Sequence, residues 1–469
     1  MNAIEPPRPS AQVRLLAWLR SQGWLRSVYH VIPRPLREGA LQLLTHRLRA
    51  RARFARTPAW REWNRPAHLG APLGRAPGVG PVPSGVNIIG YVNGQFGLAE
   101  AARSYARALI EQGVPVALHD INLGLPNVRA KSALDAHIDD TMPHPVSIIF
   151  VNPDYLPQAL AKIGKAHLKG RHLIACWFWE LERIPDTWLP SLGLVDEVMV
   201  ASAFVEQAVA RVTDTPVLRV PMPVTVPADS GLQRDDFGLP ADVFVFLTTF
   251  DFSSRMERKN PEAAIRAFLA AFPSTRRDVR LVVKSSNGHR FPHWLKHLLA
   301  LVAGDDRILI RDDVIEREHL TALQRCSNAY VSLHRAEGFG LGMAECMAMG
   351  KPVIATAWSG NMEFMDAGCA ALVDYSLIPV RAGEYPGGEG LRWADPNIEQ
   401  ASAWMRRLVD EPGLALGLGE RGRQHVDEVL SGRHAARQIV IRTGEIEAGR
   451  ISTQQCMKEP LEEGETSRD

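Results

Sequence analysis

Residues 329–357 constrain this chain more tightly than any other stretch. A short β-rich run from Ala329 to Leu333 gives way to a glycine turn, a helical stretch and a second apolar run, Val353 to Ala357. Apolar runs alternating with helices read as parallel strands linked by crossover helices. The linking residues 335–353 spell R-A-E-G-F-G-L-G-M-A-E-C-M-A-M-G-K-P-V. Glu337 and Glu345, separated by seven residues, thus sit where a buried strand hands over to a helix N-terminus. In open α/β sheets ligands bind at that edge. Backbone N–H groups and the helix dipole there favour an anion such as a diphosphate. Carboxylates beside such a site suit vicinal hydroxyls, as in the acidic residue that takes a ribose in dinucleotide folds. A pyrophosphate flanked by two polyols is a nucleotide sugar.

The same alternation runs through most of the chain. At 469 residues it exceeds one ordinary core and predicts two domains. Pro and Gly crowd residues 66–85, which marks a linker. Val86 to Tyr91 reads as a buried strand, followed by a glycine-bearing loop and a helix from Leu98 to Gln112 that stops at Gly113. Further strands are predicted at 146–151, 172–177 and 197–201. A second half has strands at 243–250, 279–285, 307–311, 329–334, 352–357 and 370–374. Asn260, Pro261 and Glu262 signal a helix start between the first two of these. The boundaries that follow are 1–85 for an extension with its linker, 86–225 and 226–447 for two Rossmann-like domains, and 448–469 for a polar, disordered tail.

The string around the two glutamates, with Gly338, Gly340, Leu341, Gly350, Pro352 and Val353 in place, resembles the signature of retaining GT-B-fold glycosyltransferases, the family 4 group. The likeness covers about residues 86–440 and implies an α/β architecture of two facing Rossmann-like domains with a cleft between them. It also implies roles. Glu345 would take the nucleotide ribose and Glu337, counted with the catalytic residues, the hydroxyls of the transferred sugar. Amides around Gly338, Phe339, Gly340 and Leu341 would face the diphosphate. Family members carry an Arg and a Lys after the first strand of the second domain, which bind the leaving pyrophosphate. Here that loop reads F-D-F-S-S-R-M-E-R-K-N-P, so Lys259 matches the lysine. Ser253 or Ser254 holds the usual arginine position, which leaves Arg255, the favoured partner, and Arg258 as substitutes.

Other positions follow from the same comparison. Gly94 and Gly97, in G-Y-V-N-G-Q-F-G, resemble the glycine turn facing donor phosphate and acceptor. Glu180, in W-F-W-E, would orient an acceptor hydroxyl, because a charge beside tryptophans needs a partner. His334 reads either as lining the donor pocket or as a hydrogen-bonded structural histidine. Ser359-Gly360-Asn361-x-Glu363 stands where the family has Gly-Gly-x-x-Glu, so Gly360 would offer its amide to phosphate and Glu363 keeps its place. No Asp-x-Asp occurs, so neither a metal nor another cofactor is expected, and the donor is itself a substrate. The expected activity is transfer of a hexosyl unit, with mannosyl as one candidate, to a glycan or lipid-linked glycan. A catalytically silent GT-B-like binding or scaffold protein and a nucleotide-sugar epimerase are the alternatives.

Charge and cysteine usage complete the reading. Five scattered cysteines without a C-x-x-C pair argue against zinc and against a disulfide framework, and fit a cytoplasmic protein. No apolar run approaches a membrane span. The net charge of +2 gives no sign of a nucleic-acid partner, but it hides an asymmetry. Residues 1–80 hold fourteen Arg against three Glu, with neither Lys nor Asp, a local charge of +11. They also hold Trp18, Trp24, Trp60 and Trp63, and an apolar stripe of Leu36, Ala40, Leu43, Leu44 and Leu48 at helical spacing. Such an arm reads either as a basic amphipathic element meeting an anionic membrane surface or as a helical extension packed on the body.

Overall fold

The computed structural model describes residues 85–124, 133–302 and 304–456; the basic arm 1–80 lies outside them. Two compact units emerge. One gathers the described residues up to Trp179, Ile184–Thr225 and the chain from Glu428 onward; the other gathers Glu180–Arg183 and Val226–Asp427. The simple division at 225/226 therefore gains two exchanges. A four-residue piece after Trp179 belongs with the second unit, and the final helix belongs with the first.

The first unit carries a parallel sheet in the order β2-β1-β3-β4-β5-β6. Its strands are β1 (Val86–Gly90), β2 (Val116–Asp120), β3 (Val146–Phe150), β4 (His172–Trp177), β5 (Glu197–Val200) and β6 (Val217–Arg219). Every residue of β1 and β3 is buried, as expected of parallel strands covered on both faces. The helix Gly97–Glu111 buries an alanine-rich face with Tyr105, Leu109 and Ile110, and the chain leaves it through Gly113 at φ +75°. Against it packs the last helix, Gly432–Cys456, which runs past residue 448, where the sequence suggested a tail. Arg442 on that helix clasps the buried Glu197 of β5, with Nη2 at 2.6 Å and Nε at 3.0 Å.

The second unit repeats the theme with the strand order β12-β11-β10-β7-β8-β9, all parallel. The strands are β7 (Phe244–Asp251), β8 (Val279–Ser286), β9 (Ile308–Asp312), β10 (Ala329–Ser332), β11 (Val353–Thr356) and β12 (Ala371–Val373). All six were expected from the sequence. Phe246, Phe268, Phe272, Leu281 and Val283 form part of its core. The chain steps outward from β7 through β8 to β9, then returns to lay β10 on the other flank of β7. That reversal is a topological switch point, and the loops after β7 and β10 leave the sheet side by side at its carboxyl edge. They are the loops that hold Lys259 and Glu337. A pair of strands the sequence did not announce follows: β13 (Tyr375–Pro379) and β14 (Arg392–Pro396), an antiparallel hairpin with Ile378 opposite Trp393.

Candidate active site

The loop after β7 makes a single helical turn, Met256–Lys259, before the helix Pro261–Ala271. Asn260 occupies the expected N-cap position, but in a left-handed conformation and without a capping side-chain bond. Its amide donates instead to Leu333 O at 3.0 Å, which ties the β7 loop to the β10 loop. Arg335 N adds a bond to Arg258 O at 2.8 Å. The register of these two loops is thus set by hydrogen bonds between them.

Between the loops lies an alternating cluster of charges. Glu337, 7% exposed, accepts from Lys259 Nζ at 2.5 Å, and its other oxygen is 3.2 Å from Arg258 Nη1. Arg258 is itself buried, donates to Ala336 O at 2.9 Å, and lies 3.5 Å from Glu180 Oε1. Burial alone would raise the Glu337 pKa; the neighbouring Lys259 and Arg258 outweigh it and bring the carboxyl down to about 2. Burial works against the Arg258 charge too, yet Glu180 and Glu337 hold its pKa above the ordinary value. Arg255 lies elsewhere. It is exposed, at φ +69°, at the start of the turn, so the buried arginine beside Lys259 and Glu337 is Arg258.

The carbonyl and amide of Glu337 are held as firmly as its carboxylate. Its N–H donates to Ser359 Oγ at 2.8 Å, and its carbonyl accepts from Gly360 N at 2.8 Å. A Cβ at Gly360 would stand 2.2 Å from Gly338 O, so only glycine fits this close approach. Ser359 sits at φ +76°, a conformation that favours the glycine the family usually has there. Its hydroxyl, bonded to Glu337 N and to Trp358 O, offsets part of that strain. Glu363 ends the short turn Gly360–Glu363 and is half-buried.

Glu345 has a separate set of partners. It lies within the helix Leu341–Ala348 and is 3% exposed. Arg317 grips both its oxygens, with Nη1 to Oε2 at 3.1 Å, and Gln324 Nε2 donates to Oε2 at 3.0 Å. Both partners come from the helix Arg317–Cys326, which follows β9. Gly340, at φ +101°, turns the chain into the Glu345 helix, while Phe339 is buried against Phe364 at 5.1 Å between ring centroids. Leu341 opens the helix and is partly buried.

His334 is fully buried, and burial lowers its pKa despite Glu337 nearby. Its Nε2 faces two acceptors, Trp358 O at 3.2 Å and Asn361 Oδ1 at 3.1 Å, while Nδ1 meets Ser332 Oγ at 3.0 Å. Asn361 Nδ2 donates to Thr356 O, and Nδ1 also lies 3.2 Å from Ser332 O, so a proton on either ring nitrogen finds an acceptor. The imidazole is therefore a neutral strut between β10 and the turn at 359–361. Glu180 lies in the second unit's cluster with Arg258. Gly94 and Gly97 lie in the first unit, at the carboxyl end of β1, where Arg103 pins the loop through Val92 O and Gly94 O, each at 2.7 Å. Gly94 is cramped, since a Cβ would meet Phe96 Cε1 at 2.7 Å, whereas Gly97 is exposed with open space around it. Among the described residues, Asp366, Cys369 and His425 bring possible metal-ligand atoms within 4.8 Å of one another, and none of the three belongs to the charge cluster.

Sequence reasoning missed Arg317, Gln324 and Tyr385, whose hydroxyl donates to Glu180. Arg317 carried no local signal, because its contact with Glu345 spans two elements.

Two Rossmann-like units, one with this charge cluster at its switch point, define the GT-B architecture. Solved structures agree on the fold. Sucrose-phosphate synthase of Thermosynechococcus elongatus aligns at TM-score 0.55 with 17% identity, covering 79% of this chain and 100% of that one. Anabaena HepE, solved in complex with UDP and glucose, aligns at TM-score 0.53 with 13% identity over the same shares. Residues 248–381 match the family described as glycosyl transferases group 1. D-inositol 3-phosphate glycosyltransferase of Acidothermus cellulolyticus is 28% identical over 229 residues, 46% of each chain. Trehalose synthase of Rubrobacter xylanophilus is 22% identical over 43% of this chain and 45% of its own. The chain spans about half the length of the curated relatives it matches.

Proposed function

We propose that the protein is a retaining, metal-independent glycosyltransferase that moves a hexosyl unit, with mannosyl as one candidate, from a nucleotide diphosphate sugar to a glycan or lipid-linked glycan. The observation that carries this reading is the cluster Lys259–Glu337–Arg258 at the switch point between β7 and β10. Two fixed cations there would stabilise negative charge on a departing diphosphate, work that a divalent ion does in other designs. The helix start at Gly340 adds the N–H groups of its first turn. Glu337 is held ionised, as an acceptor of sugar hydroxyls must be. Anabaena HepE, a neighbour of the same fold, has been captured with UDP and glucose, which supports the donor class.

The step needs no nucleophile from the protein. As the C1–O bond to the diphosphate breaks, the acceptor oxygen bonds C1 on the same face. The acceptor proton passes to the leaving diphosphate oxygen. Lys259 and Arg258 meet the charge on that oxygen. At Glu345, Arg317 and Gln324 already supply three donors to a carboxylate with about four acceptor sites. Ribose hydroxyls binding there require Arg317 to share or yield an oxygen.

A thermal-shift panel of GDP-, UDP-, ADP- and dTDP-sugars identifies the donor, since a ligand that binds only the folded state raises its midpoint. Product analysis with and without glycan acceptor then tests the reaction. Transfer to acceptor with the anomeric configuration kept is the expected result. A new nucleotide sugar formed without acceptor would mark an epimerase, and binding without turnover a silent relative.

A further inference from the structure

The hairpin β13–β14 is joined to the site by main-chain bonds. Ala394 N donates to Arg335 O at 3.0 Å, and Arg335 N donates to Arg258 O at 2.8 Å. Hairpin, β10 loop and β7 loop thus form one hydrogen-bonded series. Side chains reinforce it: Arg335 reaches Glu257 O at 2.9 Å and Asp395 at 3.1 Å, with its guanidinium 5.7 Å from the Trp393 ring centroid. The tip is closed by Val380 N to Leu391 O at 2.9 Å and Gly388 N to Tyr385 O at 3.2 Å. A Cβ at Gly388 would fall 2.6 Å from Val380 Cγ1 and 3.3 Å from Leu181 Cδ1, so the tip packs closely on the segment that carries Glu180.

That packing delivers a phenol to a carboxylate. The Tyr385 hydroxyl donates to Glu180 Oε2, with its ring 6.5 Å from Trp393 and near edge-on. The other Glu180 oxygen lies 3.5 Å from Arg258 Nη2. The chain of contacts therefore runs Tyr385, Glu180, Arg258, Glu337, Lys259. Arg258 also donates to Ser254 O and Ala336 O, but those carbonyls carry no net charge, and Glu337 is shared with Lys259 and, in the proposed reaction, with the sugar. A second carboxylate, fixed in one rotamer by a hydroxyl, keeps the guanidinium in place through the step.

We infer that Tyr385 and Glu180 are positioning residues, which together hold Arg258 at the diphosphate side of the donor site, with the β13–β14 hairpin as the element that completes the site. This rests on the glycosyltransferase reading of the same site. It assigns Glu180 to the arginine rather than to an acceptor hydroxyl.

Steady-state kinetics on the full chain test it, with Tyr385→Phe, Glu180→Gln, Arg258→Lys and the double variant Tyr385→Phe/Arg258→Lys. Loss of a hydrogen bond to a charged group predicts a drop in kcat of about tenfold for Tyr385→Phe, with donor KM within about twofold. If Tyr385 acts through Arg258, adding Tyr385→Phe to Arg258→Lys changes kcat by less than about twofold. Glu180→Gln should likewise lower kcat while acceptor KM and the thermal midpoint stay near wild type. The inference is overturned by wild-type kcat in Tyr385→Phe, by the same tenfold loss in the Arg258→Lys background, or by a Glu180→Gln effect confined to acceptor KM. Loss of folding in both Tyr385→Phe and Glu180→Gln, seen in their melting curves, would also overturn it in favour of a structural role. A wild-type chain that neither binds a nucleoside diphosphate nor turns over a sugar donor overturns the transferase reading instead, and this inference with it.

Discussion

Replacing Glu337 by Gln keeps the shape of the side chain and removes its charge, so it isolates the electrostatics of the site. In the folded protein the carboxyl titrates at about 2 against an ordinary 4.5. At roughly 1.4 kcal/mol per unit, that depression is worth about 3 kcal/mol of stability at neutral pH. Removing one partner of a buried ion pair independently predicts a loss of about 3–5 kcal/mol, since Arg258 stays buried with less counter-charge. The sign is fixed by the direction of the shift. A carboxylate favoured by folding contributes fully above its unfolded pKa, and its contribution fades as pH falls from about 5 toward 2. Glu337→Gln has nothing to titrate there. Urea denaturation followed by tryptophan fluorescence at several pH values from 7 down to 3 should show a gap between the two proteins that is widest at pH 7 and narrows on acidification. Equal stability at pH 7, or a gap that does not change with pH, would refute the assignment of Lys259 and Arg258 as the groups that hold Glu337 ionised.

Lys259→Ala should lower kcat by on the order of a hundredfold while donor KM moves by less than about threefold, because in the proposed reaction its charge would matter most as the diphosphate leaves. Initial-rate measurements over donor concentration separate the two. Arg258→Ala should abolish most activity and destabilise the fold, whereas Arg255→Ala should leave both near wild type; Arg255→Gly, by relieving the positive φ, should gain about 1 kcal/mol in a denaturant titration. If Glu345 takes the ribose as proposed, Glu345→Gln should weaken binding of the bare nucleoside diphosphate in a calorimetric titration by about tenfold, through lost charge-assisted bonds. Vesicle co-sedimentation of the full chain should show binding to anionic bilayers at low salt that high salt reverses, at about 1 kcal/mol per engaged arginine of the basic arm. No sedimentation at either salt would leave packing on the body as the role of that arm.

Much of this molecule was already legible along the chain. The six strands of the second unit appear because each is a short apolar run closed by turn residues, and a parallel sheet buries both faces of such runs. Lys259, Glu337 and Gly360 were readable because a strand-to-helix turn is a local structure whose glycines and charges lie close together in sequence. The hairpin β13–β14 was not, since its pattern is interrupted by Pro379 and by the glycines near its tip, and only pairing with its own return strand makes it regular. Arg258 rather than Arg255 became the buried arginine through the turn Met256–Lys259, which directs one inward and leaves the other outward. Arg317 beside Glu345, and Glu180 with Tyr385 beside Arg258, join residues distant in sequence. Such contacts depend on which elements become neighbours, and strand order decides that. The sequence by itself determined the elements and the chemistry available at their ends. The tertiary structure alone decided which charges met, because a carboxylate's pKa and an arginine's orientation are set by neighbours that the chain brings together only on folding.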